Sequence, residues 1–274
     1  MSYSVDPAIY ARELGPDSPL PVEQVETETD LYWRIALEMY AAVREANARD
    51  ELTRFILPVG PTFQYRRFAE LCRRMPLDLS RLHCFFMDEY LEPGEEIRAV
   101  PVTSPLSFRG FIEREFLGTV PVDCGLAADQ IYFPDPSDPS AYDRRIEELG
   151  GIDICFAGVG INGHLAFNEA PCPADAPSRI VELTRETITI NSNTAMRGAF
   201  DQVPAKAVTV GMKQILAARE LKIYMNRPWQ AAVVRKLLFG PMGPEFPASF
   251  ARRHPKANLT VTPIVAMKPD FALR

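Results

Sequence analysis

Glycine is scarce in this chain, 15 residues of 274 against 25 prolines, so the loops are stiff and each glycine draws attention to the backbone around it. Cysteine is sparse as well. Cys72, Cys84, Cys124, Cys155 and Cys172 form no Cys-x-x-Cys pair and no metal-ligand spacing. That argues against a zinc module, and the odd number argues against a disulfide framework. Cys84 and Cys155 fall inside apolar runs, where a thiol behaves as a small hydrophobe. No apolar run approaches the ~20 residues needed to span a bilayer, and no basic-then-apolar leader opens the chain, so the expected location is the cytoplasm. A block of one charge sign is also missing. The net charge of -6 is spread over interspersed acids and bases, which gives no support to nucleic-acid binding. Histidine occurs only three times.

What is present is alternation. Residues 29–50 have helical spacing, with Leu31, Ile35, Met39 and Val43 on one side. Residues 55–57 read as a strand, and 62–75 as a helix opened by Pro61. Strands near 82–88, 130–134 and 152–158 then alternate with helices near 107–117 and 140–149. A strand near 179–184 precedes a stretch whose periodicity is broken by Asn191, Ser192 and Asn193. Strands at 207–210 and 221–225, helices at 212–218 and 229–239, and a last strand at 259–265 follow. This order predicts an α/β fold, a mostly parallel sheet with helices on both faces. Residues 1–28 read as an irregular N-terminal arm and 29–274 as one α/β catalytic domain. Residues 240–247 read as a surface loop, and 94–105 as a loop near the site.

Three strand ends carry candidate chemistry. The first is Gly158-Val159-Gly160-Ile161-Asn162-Gly163-His164-Leu165-Ala166-Phe167-Asn168-Glu169, after the apolar run 152–157. Its glycines, Gly160 and Gly163 among them, let a ligand approach the backbone closely. His164 and Glu169 are a proton-handling pair, because a carboxylate orients an imidazole and raises its basicity. The second is His83-Cys84-Phe85-Phe86-Met87-Asp88-Glu89-Tyr90, an apolar run ending in two acids. The third is Leu57-Pro58-Val59-Gly60-Pro61-Thr62, a strand, a glycine turn and a helix start. Three such ends argue for one crevice at the carboxyl edge of the sheet.

Met87-Asp88-Glu89-Tyr90 and Asn162-Gly163-His164-Leu165-Ala166-Phe167-Asn168-Glu169 resemble the two signature motifs of the glucosamine-6-phosphate deaminases (isomerases). Val203-Pro204-Ala205-Lys206-Ala207-Val208-Thr209-Val210-Gly211 and His254-Pro255-Lys256-Ala257 resemble further family segments, so the similarity spans about residues 30–265. The related 6-phosphogluconolactonases usually carry Asp-Glu-Arg and a Gly-His-Thr-Ala-Ser type of motif. Tyr90 and Phe167-Asn168-Glu169 therefore point to the deaminase side.

The resemblance implies a Rossmann-like three-layer sandwich that turns an amino-sugar aldose into a ketose and ammonia without metal or cofactor. It implies Asp88 as the proton shuttle between C1 and C2, and His164 as the group that opens the sugar ring, with Glu169 against it. Asn162 stands where family members carry Asp or Asn, and as an amide it can only position its neighbours. Glu89 would be structural or stand behind the site, with a direct role less expected. The partner is a small amino sugar or sugar phosphate, and a homo-oligomer is compatible with this reading.

The phosphate ligands depart from the pattern. The family's phosphate loop usually reads Gly-Gly/Ser-Thr/Ser-Pro, and its N–H groups hold the sugar phosphate. Here it is Gly60-Pro61-Thr62-Phe63; Pro61 has no N–H, while Gly60 and Thr62 remain candidate contacts. A family arginine after Asn-Ser is replaced by Asn193, and a family lysine opening a late helix by Gln230. Two readings stay open. Arg197 and Arg227 rebuild the phosphate site, or the substrate carries no phosphate, the latter being slightly favoured. A related isomerase or lactonase, and a non-catalytic sugar sensor, are the rival functions. The family's Ser-Arg-Thr-Arg effector segment appears as Ser178-Arg179-Ile180-Val181, which has lost its second arginine.

Overall fold

The computed structural model describes residues 6–269. Its strands are β1 (Val22–Gln24), β2 (Thr53–Leu57), β3 (Leu82–Phe86), β4 (Asp88–Tyr90), β5 (Ile131–Tyr132), β6 (Ile154–Ala157), β7 (Arg179–Glu182), β8 (Lys206–Thr209), β9 (Glu220–Met225) and β10 (Ala257–Val261). The helices are α1 (Glu28–Ala48), α2 (Gln64–Arg74), α3 (Phe108–Ile112), α4 (Pro139–Glu148), α5 (Arg185–Ala195), α6 (Met212–Ala217), α7 (Gln230–Phe239) and α8 (Pro263–Ala266).

Seven strands form one parallel sheet in the order β1-β10-β9-β6-β2-β3-β5. The α/β architecture expected from the alternation is present, and residue chemistry explains its layers. Successive side chains in a strand point to opposite faces. Ile56, Phe85, Cys155, Ile223 and Leu259 pack on one face with α4, α6 and α7. Phe55, Leu57, Phe86 and Phe156 pack on the other with α1 and α2. Strands buried on both faces read as apolar runs, as residues 55–57 of β2, 84–86 of β3 and the whole of β6 do.

A smaller antiparallel sheet, β4-β8-β7, stands beside the first. The run expected as one strand over 82–88 divides between the two sheets at Met87. Met87 N donates to Leu57 O at 3.1 Å, and its O accepts from Val210 N at 2.7 Å. One residue thus bonds to the main sheet and to the chain that follows β8. Other boundaries also differ. Val22–Gln24, inside the arm read as irregular, pairs with β10 as an edge strand. The last strand ends at Val261 because Pro263 opens α8. Helix α2 begins at Gln64, three residues after Pro61. Helix α5 runs straight through Asn191, Ser192 and Asn193. Its hydroxyls bond back into the helix, Thr189 to Arg185 O, Ser192 to Thr189 O and Thr194 to Ile190 O, so these polar residues do not break it.

Arg235 on α7 is fully buried, and among the described residues no carboxylate forms an ion pair with it. Its guanidinium donates instead to four carbonyls: Arg12 O in the arm, Ala231 O, Ala266 O and Met267 O.

Candidate active site

The sheet grows outward from β2 in one direction through β3 and β5, and in the other through β6, β9 and β10. The order therefore reverses between β2 and β6, and open α/β sheets bind ligands in the crevice outside the strand ends at such a point. A cavity of about 410 Å³ opens there. Gly60, Thr62, Asp88, Gly160, His164 and Arg227 all line it. The loops after β2 and β6 meet closely, for a Cβ on Gly158 would stand 3.4 Å from Gly60 O.

Asp88 opens β4, directly after the Met87 junction, and is 7% exposed. Burial first, then the neighbouring Glu89 charge, push its carboxyl up to about 8. Glu89 follows it in the strand but does not line this cavity. Its Oε2 accepts from Ser107 Oγ at 2.9 Å and Arg109 N at 2.8 Å, and its Oε1 from Phe108 N at 3.0 Å and Tyr90 N at 2.9 Å. Burial raises this carboxyl above its usual range while the four hydrogen bonds oppose the rise. Glu89 thus anchors the first turn of α3, whose residue Phe108 lines the cavity.

His164 is supported from behind. Asn162 Nδ2 donates to Glu169 Oε2 and to Thr184 Oγ1, the latter at 3.0 Å. Asn162 Oδ1 is then the acceptor facing His164 Nδ1 at 2.8 Å, which places the ring proton on Nδ1 and leaves Nε2 as the base in the neutral imidazole. Glu169 Oε2 stands 3.5 Å from the same Nδ1. Burial pushes Glu169 up, but hydrogen bonds and charge from His164, Thr187 and Asn162 outweigh it and hold the carboxyl near 2. It remains an anion poised for an imidazolium. Asn162 and Glu169 are therefore behind the ring rather than in the cavity wall.

No family model matches the chain. The glucosamine-6-phosphate deaminase of Rhodopirellula baltica is 30% identical over 216 residues, covering 77% of this chain and 81% of that one. The enzyme of the same name from Lachnoclostridium phytofermentans is 32% identical over 74% of this chain and 81% of its own. The chain belongs to the glucosamine-6-phosphate deaminase family. Among solved structures, a monomeric glucosamine-6-phosphate deaminase superposes with a TM-score of 0.79 at 24% identity, over 90% of this chain and 99% of that one. A 6-phosphogluconolactonase from Thermotoga maritima reaches 0.65 at 16% identity, over 88% and 99%, and shares the fold.

Within this family frame, several expected contacts fall elsewhere. Arg197 is exposed just past the end of α5, with a φ of 52°, and does not line the cavity. Asn193 is exposed on α5 and is not part of the wall either. Gly163 adopts a φ of 85° and faces Phe246, whose ring lies 2.5 Å from where its Cβ would be. Ala248 N donates to Gly163 O at 2.8 Å, so the 240–247 segment, read as a surface loop, braces the histidine loop through its end. Gln230 lines the cavity and is 4% exposed. Among the described residues no group of three or more His, Cys, Asp or Glu could hold a metal ion, and no helix is long and apolar enough to cross a membrane.

Sequence reading missed three contributors: Thr184, Thr187 and Asn191. Thr184 caps α5 through Thr187 N, and its Oγ1 donates to Glu169 at 3.1 Å. Thr187 Oγ1 lies 3.3 Å from His164 Nδ1. Asn191 donates to the Tyr90 hydroxyl at 2.9 Å, and both line the cavity. The Thr-x-x-Thr spacing at a helix start was a usable signal for the first pair; nothing local marks the second.

Proposed function

We propose that this protein converts a 2-amino-2-deoxy aldose to a ketose and ammonia. The observation that carries the reading is a buried carboxylate of raised basicity, Asp88, in one cavity with an imidazole, His164, held by an amide and a carboxylate. The family relationship supports it.

Each step has a group to perform it. His164 Nε2 accepts the proton of the C1 hydroxyl and delivers it to the ring oxygen, which opens the ring. Glu169 favours the transient imidazolium. Asp88 takes the C2 proton while the C1 oxygen gains one from solvent, giving an enolamine, and then returns the C2 proton to C1, which leaves the C2 imine protonated. Water then adds to the C2 imine and ammonia leaves. A carboxyl raised to about 8 suits the shuttle, since its basicity lies near the working pH while its protonated form is also accessible. Gly60, Thr62 and Arg227 would contact the sugar beyond the reacting carbons.

The test is ammonia release from glucosamine and from glucosamine 6-phosphate, followed with a coupled dehydrogenase. Ammonia from either supports the reading. Hydrolysis of 6-phosphogluconolactone without ammonia from any amino sugar would replace it by the lactonase reading.

A further inference from the structure

Asp88 and Tyr90 stand two residues apart in β4, so their side chains leave the strand on the same side while Glu89 leaves on the other. Both line the cavity. Along a strand that spacing is about 7 Å, which leaves room for a carbonyl unit between the two groups. Among the described residues nothing hydrogen-bonds the Asp88 carboxyl; burial and the Glu89 charge alone shift it. Tyr90 is 4% exposed, its ring held by Phe108 and Phe167 with centroids 4.7 Å and 5.5 Å away. Its hydroxyl accepts from Asn191 Nδ2 at 2.9 Å, so the phenol's own proton must point elsewhere, and among the described residues no group accepts it. Burial first, then the Asp88 charge, raise this phenol above its usual value while the Asn191 bond opposes the rise, so it remains a donor across the neutral range. Other polar side chains of the wall are committed. Ser107 donates to Glu89, and Asn226 Nδ2 donates to Glu28 and to Tyr32.

We propose, resting on the deaminase reading above, that Tyr90 is a further catalytic residue, the donor that holds the C1 oxygen while Asp88 works on C2, and that Asn191 positions it. When Asp88 takes the C2 proton, the electron pair of the C2–H bond forms the C1–C2 double bond and the C1–O π pair moves onto oxygen. That oxygen gains its proton from solvent. The Tyr90 O–H stabilises the charge developing there and keeps its own proton. Once the oxygen is a hydroxyl, the Asn191 amide oxygen beside it is an acceptor for it. A donor aimed at where charge develops lowers the barrier more than it tightens binding of the ground state. Ring opening does not use it.

The experiment compares wild type with Tyr90→Phe, which keeps both ring contacts and loses only the hydroxyl. Ammonia release is followed from glucosamine and from glucosamine 6-phosphate. Calorimetry measures binding of 2-amino-2-deoxyglucitol and its 6-phosphate, which have no carbonyl to enolise. Tyr90→Phe should lower kcat by about 10²–10³-fold, the cost of one such donor. KM and polyol affinity should stay within about threefold of wild type, since the lost contact belongs to the transition state. An open-chain substrate should recover none of the loss, in contrast to His164→Gln. Asn191→Ala keeps the phenol but not its orientation, and should lower kcat by about threefold to tenfold. Wild-type kcat in Tyr90→Phe would overturn the inference and leave the deaminase reading standing. Polyol binding that weakens as much as kcat falls would also overturn it, because the hydroxyl would then act on the ground state. A wild type that releases no ammonia from either sugar removes the reading itself, and this inference with it.

Discussion

Gly160 and His164 leave no room between them for a side chain. A Cβ on Gly160 would meet the imidazole Nε2 at 2.0 Å, and Gly160 N donates to His164 O at 3.0 Å. With Asn162 on Nδ1, the ring is held from both sides.

Gly160→Ala should therefore displace the imidazole without unfolding the chain. A catalytic group misplaced by about 1 Å costs on the order of 10²-fold in rate. The expected result is that loss in kcat with a far-UV circular dichroism spectrum like wild type. Full activity in this variant would mean that His164 does not act from its present position.

Asp88→Asn should abolish turnover and leave ligand binding largely intact, since the amide is nearly isosteric but cannot accept the C2 proton. Solvent deuterium incorporation at the substrate carbon should vanish with it. The same variant has a signature in stability. The folded carboxyl titrates at about 8, the unfolded one near 3.9, so the native state binds the extra proton between those values. Native stability is then lost as pH rises through that window. Asp88→Asn should melt above wild type at pH 9, and the gap should close toward pH 4. An identical gap at both pH values would show that Asp88 is not shifted upward.

His164→Gln should slow the ring-closed sugar most, because later steps use Asp88. A substrate analogue that is already open-chain should recover part of the rate; equal losses on both forms would remove His164 from ring opening. Its partner gives an acid-side test. Glu169 is held near 2, below its unfolded value near 4.3, so it contributes stability above that value which disappears as pH falls from about 5 toward 2. Glu169→Gln should lower the melting temperature at pH 7 and flatten its decline in acid.

Activation by N-acetylglucosamine 6-phosphate is expected to be absent. Val181 stands in β7, paired with Ala207 and packed against the apolar cluster around Tyr90, where it can donate nothing to an anion. Initial-rate curves should be hyperbolic and unchanged by that compound. Sigmoidal curves that it straightens would contradict this.

The strand-loop motifs were legible because residue type and period agree there. One apolar run leads directly into Asp88 and another, through glycines, into His164, and the alternation of elements leaves few topologies. What escaped depends on partners distant in sequence. The break at Met87, the last residue of an apolar run, is revealed only by its bonds to Leu57 and Val210. The anchoring role of Glu89 rests on Ser107, eighteen residues on. The brace on Gly163 comes from Phe246 and Ala248. Helix α5 was obscured because its polar residues look like breakers until their hydroxyls are seen bonding inward.

Arg235 has a consequence for how the chain can be cut. One of its four carbonyl partners belongs to the arm, at Arg12, and two to the far end of the chain, at Ala266 and Met267. A buried guanidinium stripped of acceptors is far more costly than a cavity of the same size. The two ends of the polypeptide thus work as a clasp closed over one charge. Trimming the arm would remove one of the four acceptors and trimming the far end two, each leaving a buried N–H unpaired, so residues well outside the stretch that carries the chemistry contribute to stability.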